Sequence, residues 1–327
     1  MREIIITKDE SGQRLDRYIR KLLGKANLSF IYKQIRKKNI VVNDLKVSEK
    51  YILNEEDVVK IYFSEETINK FKSEKKKIIN NIKLDIIYED DNILIINKPS
   101  GILSHSTKDD YKEKNIVDGL KNYLMEKGDF VPSRNSTFTP SIANRLDRNT
   151  SGLLIGAKTY NAIQELNKAQ RKNAIKKYYY TIVAGSVGGS STETANIQKV
   201  KSHENLVEVS NKESDENKEI ITTYRCIIKG KKISLLEIDL ETGRTHQIRA
   251  HMAFLKMPII GDRKYGNPKI NKYYKSKYNI ENQILQCYKL KFSQLEGDLE
   301  YLNDKEFSIE ENEIIKKIIK GEIHESK

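Results

Sequence analysis

Along the first sixty residues the spacing of apolar side chains switches between the helical and the strand period. Leu15, Ile19, Leu22 and Leu23 fall on one face of a helix over residues 14–23. A second helix is expected from Ser29, a candidate cap, to about Lys37. Phe30, Ile31 and Ile35 would turn inward there, and Lys33, Arg36 and Lys37 outward. Residues 40–42 and 58–61 are short β-branched runs and read as strands. Residues 64–83 lose both periods. Glu, Lys and Ser dominate them, the composition of a linker or an exposed helix.

Beyond residue 84 the strand period prevails. Residues 86–88 and 93–96 flank turn residues and predict a hairpin, ended by Lys98-Pro99-Ser100-Gly101. Residues 115–124 and 159–171 carry helical spacing. Residues 177–184, 206–209, 220–228, 233–240 and 284–292 carry strand spacing, and 185–191 is expected as a loop. Ile314, Ile315, Ile318 and Ile319 suggest a helix within 307–320. Strands dominate without regular βα alternation, so the expected class is α+β with a mixed, mostly antiparallel sheet. Four parts follow: a small unit over 1–63, a linker over 64–83, a large unit over 84–305 and a helical tail over 306–327.

Charge sharpens this picture. The net charge of +13 favours an anionic partner such as nucleic acid. Residues 12–50 hold eleven Lys and Arg against Asp16, Asp44 and Glu49, a net +8 in a small segment. Cys226 and Cys287 stand far apart, which excludes a disulfide framework and a CxxC zinc site; both are expected as buried strand residues. Lys8, Asp9 and Glu10 interrupt any signal-peptide core, and no apolar run approaches the ~18 residues of a membrane helix. A cytoplasmic monomer is expected.

Candidate chemistry sits in three stretches of the large unit. In Asn144-Arg145-Leu146-Asp147-Arg148, an acid lies between two arginines. Extended backbone would point Arg145 and Asp147 to one side and Leu146 to the other. Guanidinium neighbours favour the charged carboxylate, the state of a nucleophile or charge stabiliser. Thr150-Ser151-Gly152 then supplies turn chemistry. In Lys177-Tyr178-Tyr179-Tyr180, alternation sets Tyr179 opposite its two neighbours. In the third, Gly243 supplies a turn, Thr245 can cap a helix, and Arg249 falls one turn in. Several standard sites are absent. His246 and His251 are spaced i, i+5, so HExxH zinc geometry fails, and GxxxxGK[ST], GxGxxG and GxSxG do not occur. No second carboxylate lies near Asp147 in sequence, as most glycoside hydrolases require. On these residues alone, a surface ion pair and a core tyrosine are the ordinary readings.

Taken together, the motifs resemble the RluA family of RNA pseudouridine synthases over essentially the whole chain. Gly12–Asp16 and Val41-Val42-Asn43 resemble the S-four-like, alpha-L RNA-binding domain of a small-subunit ribosomal protein and of tyrosyl-tRNA synthetases. The resemblance implies that Asp147 is the catalytic aspartate, that Tyr179 behind Lys177 is the active-site tyrosine, and that Arg249 pairs with the aspartate. It further implies that Arg145 fills the space left by a flipped uridine. Asn97-Lys98-Pro99-Ser100-Gly101 and Pro258-Ile259-Ile260-Gly261-Asp262 match further family signatures; His105 is read as structural. One departure is Asn144, where the family usually has His. Charge and pattern add Arg14, Arg17, Lys33, Arg36 and Lys37 as RNA contacts. The implied protein is a pseudouridine synthase needing neither cofactor nor metal. Its substrate would be structured RNA, large-subunit ribosomal RNA first and transfer RNA second. The alternatives are a non-catalytic RNA-binding or ribosome-assembly protein of the same fold, and an RNA N-glycosidase.

Overall fold

A computed structural model describes residues 1–71, 82–106, 113–131, 137–200, 206–214 and 216–324. The N-terminal unit comprises β1 (Arg2–Ile5), α1 (Leu15–Leu22), α2 (Leu28–Arg36), β2 (Ile40–Val42), β3 (Val58–Ile61) and α3 (Glu65–Phe71). Its strands pair antiparallel in the order β1-β3-β2. The periodic residues are the core: Leu15, Ile19, Leu22, Ile31 and Ile35 pack on Ile40, Val42, Val59 and Ile61. Two expectations change. Asn27, not Ser29, caps α2, its Oδ1 accepting from Phe30 N at 2.8 Å. Residues 65–71 take the helical alternative, and Ile68 and Phe71 join this core, so the unit runs past residue 63. Residues 72–81 of the expected linker lie outside the described residues. The strand β1 was not legible because only Ile4 of its four residues is buried.

The large unit comprises β4 (Ile86–Glu89), β5 (Ile93–Lys98), α4 (Ile116–Lys127), β6 (Ser141–Ile142), β7 (Ser151–Ala157), α5 (Tyr160–Arg171), β8 (Ile175–Ala184), β9 (Ser190–Lys199) and β10 (Val207–Ser210). It continues with β11 (Lys218–Lys229), β12 (Ile233–Leu240), α6 (Gln247–Phe254), α7 (Pro268–Tyr278), β13 (Leu285–Phe292), β14 (Glu306–Ser308) and α8 (Glu313–Ile318). One sheet runs β10-β9-β11-β12-β8-β13-β7-β5-β4, with β14 beside β13 and β6 beside β7. Among the described strands only β7 and β13 pair parallel, so the sheet is mixed and mostly antiparallel, in an α+β fold.

At its centre the sheet is covered on both faces, and β8 shows how. Tyr179 and Val183 meet Leu236, Ile238 and Leu285 together with Leu120 of α4 and Leu166 of α5. Ile182 and Ala184 face the other way, onto Leu235, Ile260, Tyr274 of α7 and Ile315 and Ile318 of α8. The tail is therefore part of this fold, a strand followed by a docked helix. The strand β9 fell partly in the expected loop at 185–191. Its buried residues are only Ala195 and Ile197, too sparse a pattern to read.

Contact between the units is small and polar. The Glu10 carboxylate accepts from Thr137 N at 2.7 Å, Gln13 Nε2 donates to Thr137 Oγ1 at 3.1 Å, and the Lys21 ammonium lies 4.7 Å from the Tyr160 ring centroid. Separate cores joined this way are expected to fold separately. A chain lacking residues 1–75 is expected to keep its circular dichroism and a cooperative melt. Complete loss of folding would show that the two parts share one core.

Candidate active site

The loop between β6 and β7 carries Asp147, and its backbone is bound along its length. Buried Asn144 accepts from Ile155 N at 2.8 Å and donates to Leu153 O at 3.2 Å. Ser104 Oγ donates to Leu146 O at 2.7 Å and accepts from Leu146 N at 3.1 Å. Ser100 Oγ donates to Asn149 O at 2.8 Å. Lys98, wholly buried, donates to Pro99 O at 3.0 Å, Ile102 O at 2.8 Å and Arg148 O at 2.8 Å. Burial pushes this ammonium down to about 7, opposed by Asp147; three carbonyls, one for each of its protons, favour the charged form. With the backbone held, Leu146 is buried, Arg145 is exposed and Asp147 lies between, the alternation expected of extended chain.

Gly152 explains how the loop reaches the sheet. At φ +113°, a Cβ there would lie 2.1 Å from the Cys287 carbonyl oxygen. Only glycine permits this approach of β7 to β13, the parallel pair beside Tyr179.

Asp147 Oδ2 accepts from Arg249 Nη1 at 2.8 Å. Behind it, Arg249 Nε and Nη2 grip Asp262 at 2.7 and 3.1 Å, and Asp262 also accepts from the backbone of Lys264 and Tyr265 at 2.8 and 3.0 Å. Burial opposes charge on both partners. The pairing with Asp262 and then Asp147 still raises the Arg249 pKa, and Arg249 with the backbone donors holds Asp262 below the usual carboxylate range. The sequence missed Asp262 as a partner because only the turn after Met257 brings it against α6. Its sole signal was membership of the Pro258–Asp262 signature.

His246 is the second residue that sequence reasoning passed over. It stands at φ 53° ahead of α6, with Nε2 3.8 Å from Asp147 Oδ2 and Nδ1 2.9 Å from the Tyr265 hydroxyl. Burial lowers its pKa, opposed by Asp147. Thr245 does not cap this helix. Gln247 Oε1 accepts from Arg244 N at 3.0 Å instead, and Thr245 is exposed.

Tyr179 is buried at the floor of the site, opposite Cys287 in the β8–β13 pairing. Burial first, then Cys287 and Asp147, raise its pKa well above the usual phenol value, so it is neutral. Cys287 is buried in β13, whereas Cys226 is only partly buried in β11. Two clefts meet at Asp147. One of about 270 Å³ runs inward past Tyr179, Lys177, Leu240, Ile248 and Leu285. The other, of about 490 Å³, runs outward past His105, Arg148, Asn149 and Lys264. Arg145 borders both. His105, expected as structural, therefore also lines the site.

Asp147, Tyr179, Arg249 and Arg145 thus converge. The N-terminal basic residues form a separate group. Arg17, Lys33, Arg36 and Lys37 are exposed on α1 and α2, whereas Arg14 is held by Asp16 at 2.6 Å. Among the described residues no helix is long and apolar enough to cross a membrane.

Residues 92–254 match the family described as RNA pseudouridylate synthase. A Mycoplasma capricolum protein named as an uncharacterized RNA pseudouridine synthase is 33% identical over 93% of this chain and 96% of its own length. The ribosomal large subunit pseudouridine synthase C of Buchnera aphidicola is 32% identical over 88% of each chain. The solved human RNA pseudouridylate synthase domain containing 4 superposes with a TM-score of 0.57 at 18% identity, covering 72% of this chain and 91% of that one.

Proposed function

This chain belongs to the RNA pseudouridylate synthase family and is an enzyme acting on RNA; we propose that Asp147 is its catalytic carboxylate and that it modifies structured large-subunit ribosomal RNA after flipping the target uridine. The observation that carries the reading is the Asp147–Arg249–Asp262 chain opening onto a cleft floored by Tyr179. Isomerisation breaks the uracil N1–C1′ bond, turns the base and joins C5 to the same carbon. A carboxylate at the sugar can attack C1′ or stabilise its positive charge, as in glycoside chemistry. Arg249 orients Asp147, and the neutral Tyr179 supplies a stacking face and a hydroxyl at the base. Relatives named for the large ribosomal subunit support the substrate, as does the exposed basic face of α1 and α2. Such a substrate implies a cytoplasmic enzyme, which we take to be a monomer. Incubating ribosomal and transfer RNA transcripts with the protein and mapping pseudouridine tests the reading. Release of free uracil without pseudouridine would make it an N-glycosidase.

Arg145 provides a test of flipping. Its guanidinium borders the place a base would leave, where it would stack and bond the orphaned partners, offsetting part of an unstacking cost of a few kcal/mol. Arg145→Ala is expected to slow modification of a stem-loop strongly and of an unstructured strand much less. Arg145→Lys should rescue poorly, since it restores charge without the flat surface. Equal losses on both substrates, or full rescue by lysine, would reduce Arg145 to a phosphate contact, whose effect fades with salt.

A further inference from the structure

Lys177 has no part in the chemistry described so far, yet it stands inside the cleft. Alternation along β8 puts Lys177 on the same face as Ile175 and Tyr179, and it lines the inner cleft with Asp147, Tyr179, Leu240 and Leu285. Among the described residues its ammonium has one hydrogen bond, to Ile175 O at 3.3 Å, and no carboxylate partner. The contrast with Lys98 is direct, since there three carbonyls take three protons. Arg249, which lines the same cleft, already serves two carboxylates. The half-buried amine thus has donors to offer a ligand that enters the cleft beside Leu240 and Leu285.

We propose that the Lys177 ammonium is a catalytic residue that binds the carbonyl oxygens of the flipped uracil and stabilises the negative charge the base carries while it is detached from the sugar. This rests on the reading of the cleft as the base pocket. When N1–C1′ breaks, both electrons of the bond stay on the base, where the charge spreads over N1, C5 and the two carbonyl oxygens. A fixed cation at those oxygens lowers the barrier because the charge appears only after the ground state. The C5–C1′ bond then forms from an electron pair of the base, C5 releases its proton to solvent and N1 takes one up. Lys177 exchanges no proton. Burial lowers its pKa from the ordinary lysine value, with Cys287 of β13 opposing this and Lys176 adding to it. Asp147, His246, Arg145, Arg244 and Arg249 line the same cleft. The active form is the protonated one, so the rate must fall as pH rises through that lowered pKa.

Single-turnover rates and RNA dissociation constants for Lys177→Met and Lys177→Arg, each verified as folded by its melt, test this. Methionine is expected to slow the chemical step on the order of 10²-fold with affinity within a few fold. Arginine should restore at least part of the loss and move the alkaline fall of the rate upward. The methionine penalty on breaking N1–C1′ should also shrink on RNA carrying 5-fluorouridine, whose more acidic base leaves with less help; bond cleavage is the quantity compared, because fluorine at C5 leaves no proton to release and the isomerisation cannot finish there. That comparison stands even where arginine does not fit. A methionine variant within threefold of wild type overturns the proposal, as does the same loss on both bases, or a wild-type rate that rises through the alkaline range and loses that rise in the variant. An Asp147→Asn control separates the levels. If it is inactive while Lys177→Met is silent, only the role of Lys177 falls; if it remains active, the reading of the cleft falls.

Discussion

Asp147→Asn is expected to lower pseudouridine formation on the order of 10³-fold or more while leaving RNA affinity within a few fold. The amide matches the carboxylate in shape, so the loop bound by Lys98, Ser104 and Asn144 has no reason to move. Arg249 retains both bonds to Asp262, so no buried cation is left without a partner. What disappears is the negative charge facing the sugar, which either the covalent or the charge-stabilising route requires. Affinity should survive under the proposed division of labour, in which exposed lysines and arginines outside the site hold the phosphates. The measurement is single-turnover pseudouridine formation on a ribosomal stem-loop, with binding followed separately. Turnover within tenfold of wild type, from folded protein, would remove Asp147 from the chemistry.

What was legible in the sequence divides along physical lines. Residues set by local period were readable: Leu15, Ile19, Ile31 and Ile35 announce their helices, and the strand alternation at Lys177–Tyr180 sends Tyr179 to the core. The site was readable where chemistry is local in sequence, as in Arg145-Leu146-Asp147. Contacts made only by tertiary approach were not. Nothing in the chain indicates that Lys98 reaches Arg148 O or that Gly152 exists to let Cys287 pass, since those distances depend on the packed sheet. Caps failed for a related reason. Asn27 and Ser29 are both plausible before α2, and Thr245 is exposed while Gln247, inside its helix, reaches back to accept from Arg244 N. Asn144, the departure from the family pattern, is a buried strut between the loop and β7.

Asp262 offers the second large effect, because it separates the stability of the site from its chemistry. Its side chain is fully buried, and removing it as Asp262→Ala leaves the inner edge of Arg249 without an acceptor, together with the backbone donors of Lys264 and Tyr265. Breaking one half of such a buried pair costs about 3–5 kcal/mol. The remaining partner of Arg249 is Asp147, so the guanidinium is also free to rotate and the Asp147 carboxylate loses its fixed orientation. Turnover should therefore fall as well. The pH dependence follows from the lowered Asp262 pKa: its stabilisation is complete above the ordinary carboxylate range and is lost as pH falls through the lower folded value. Asp262→Ala should accordingly be less stable at neutral pH and lose less stability than wild type on acidification. Arg249→Met with Asp262→Leu replaces the pair by apolar groups and is expected to recover much of the stability without recovering turnover. Chemical denaturation from acid to neutral pH, beside single-turnover assays of the three proteins, reads both quantities. If Asp262→Ala costs under about 1 kcal/mol, the pair is not a buried strut. If the double variant is both stable and active, Arg249 does not orient Asp147, and the aspartate must be held by the loop alone.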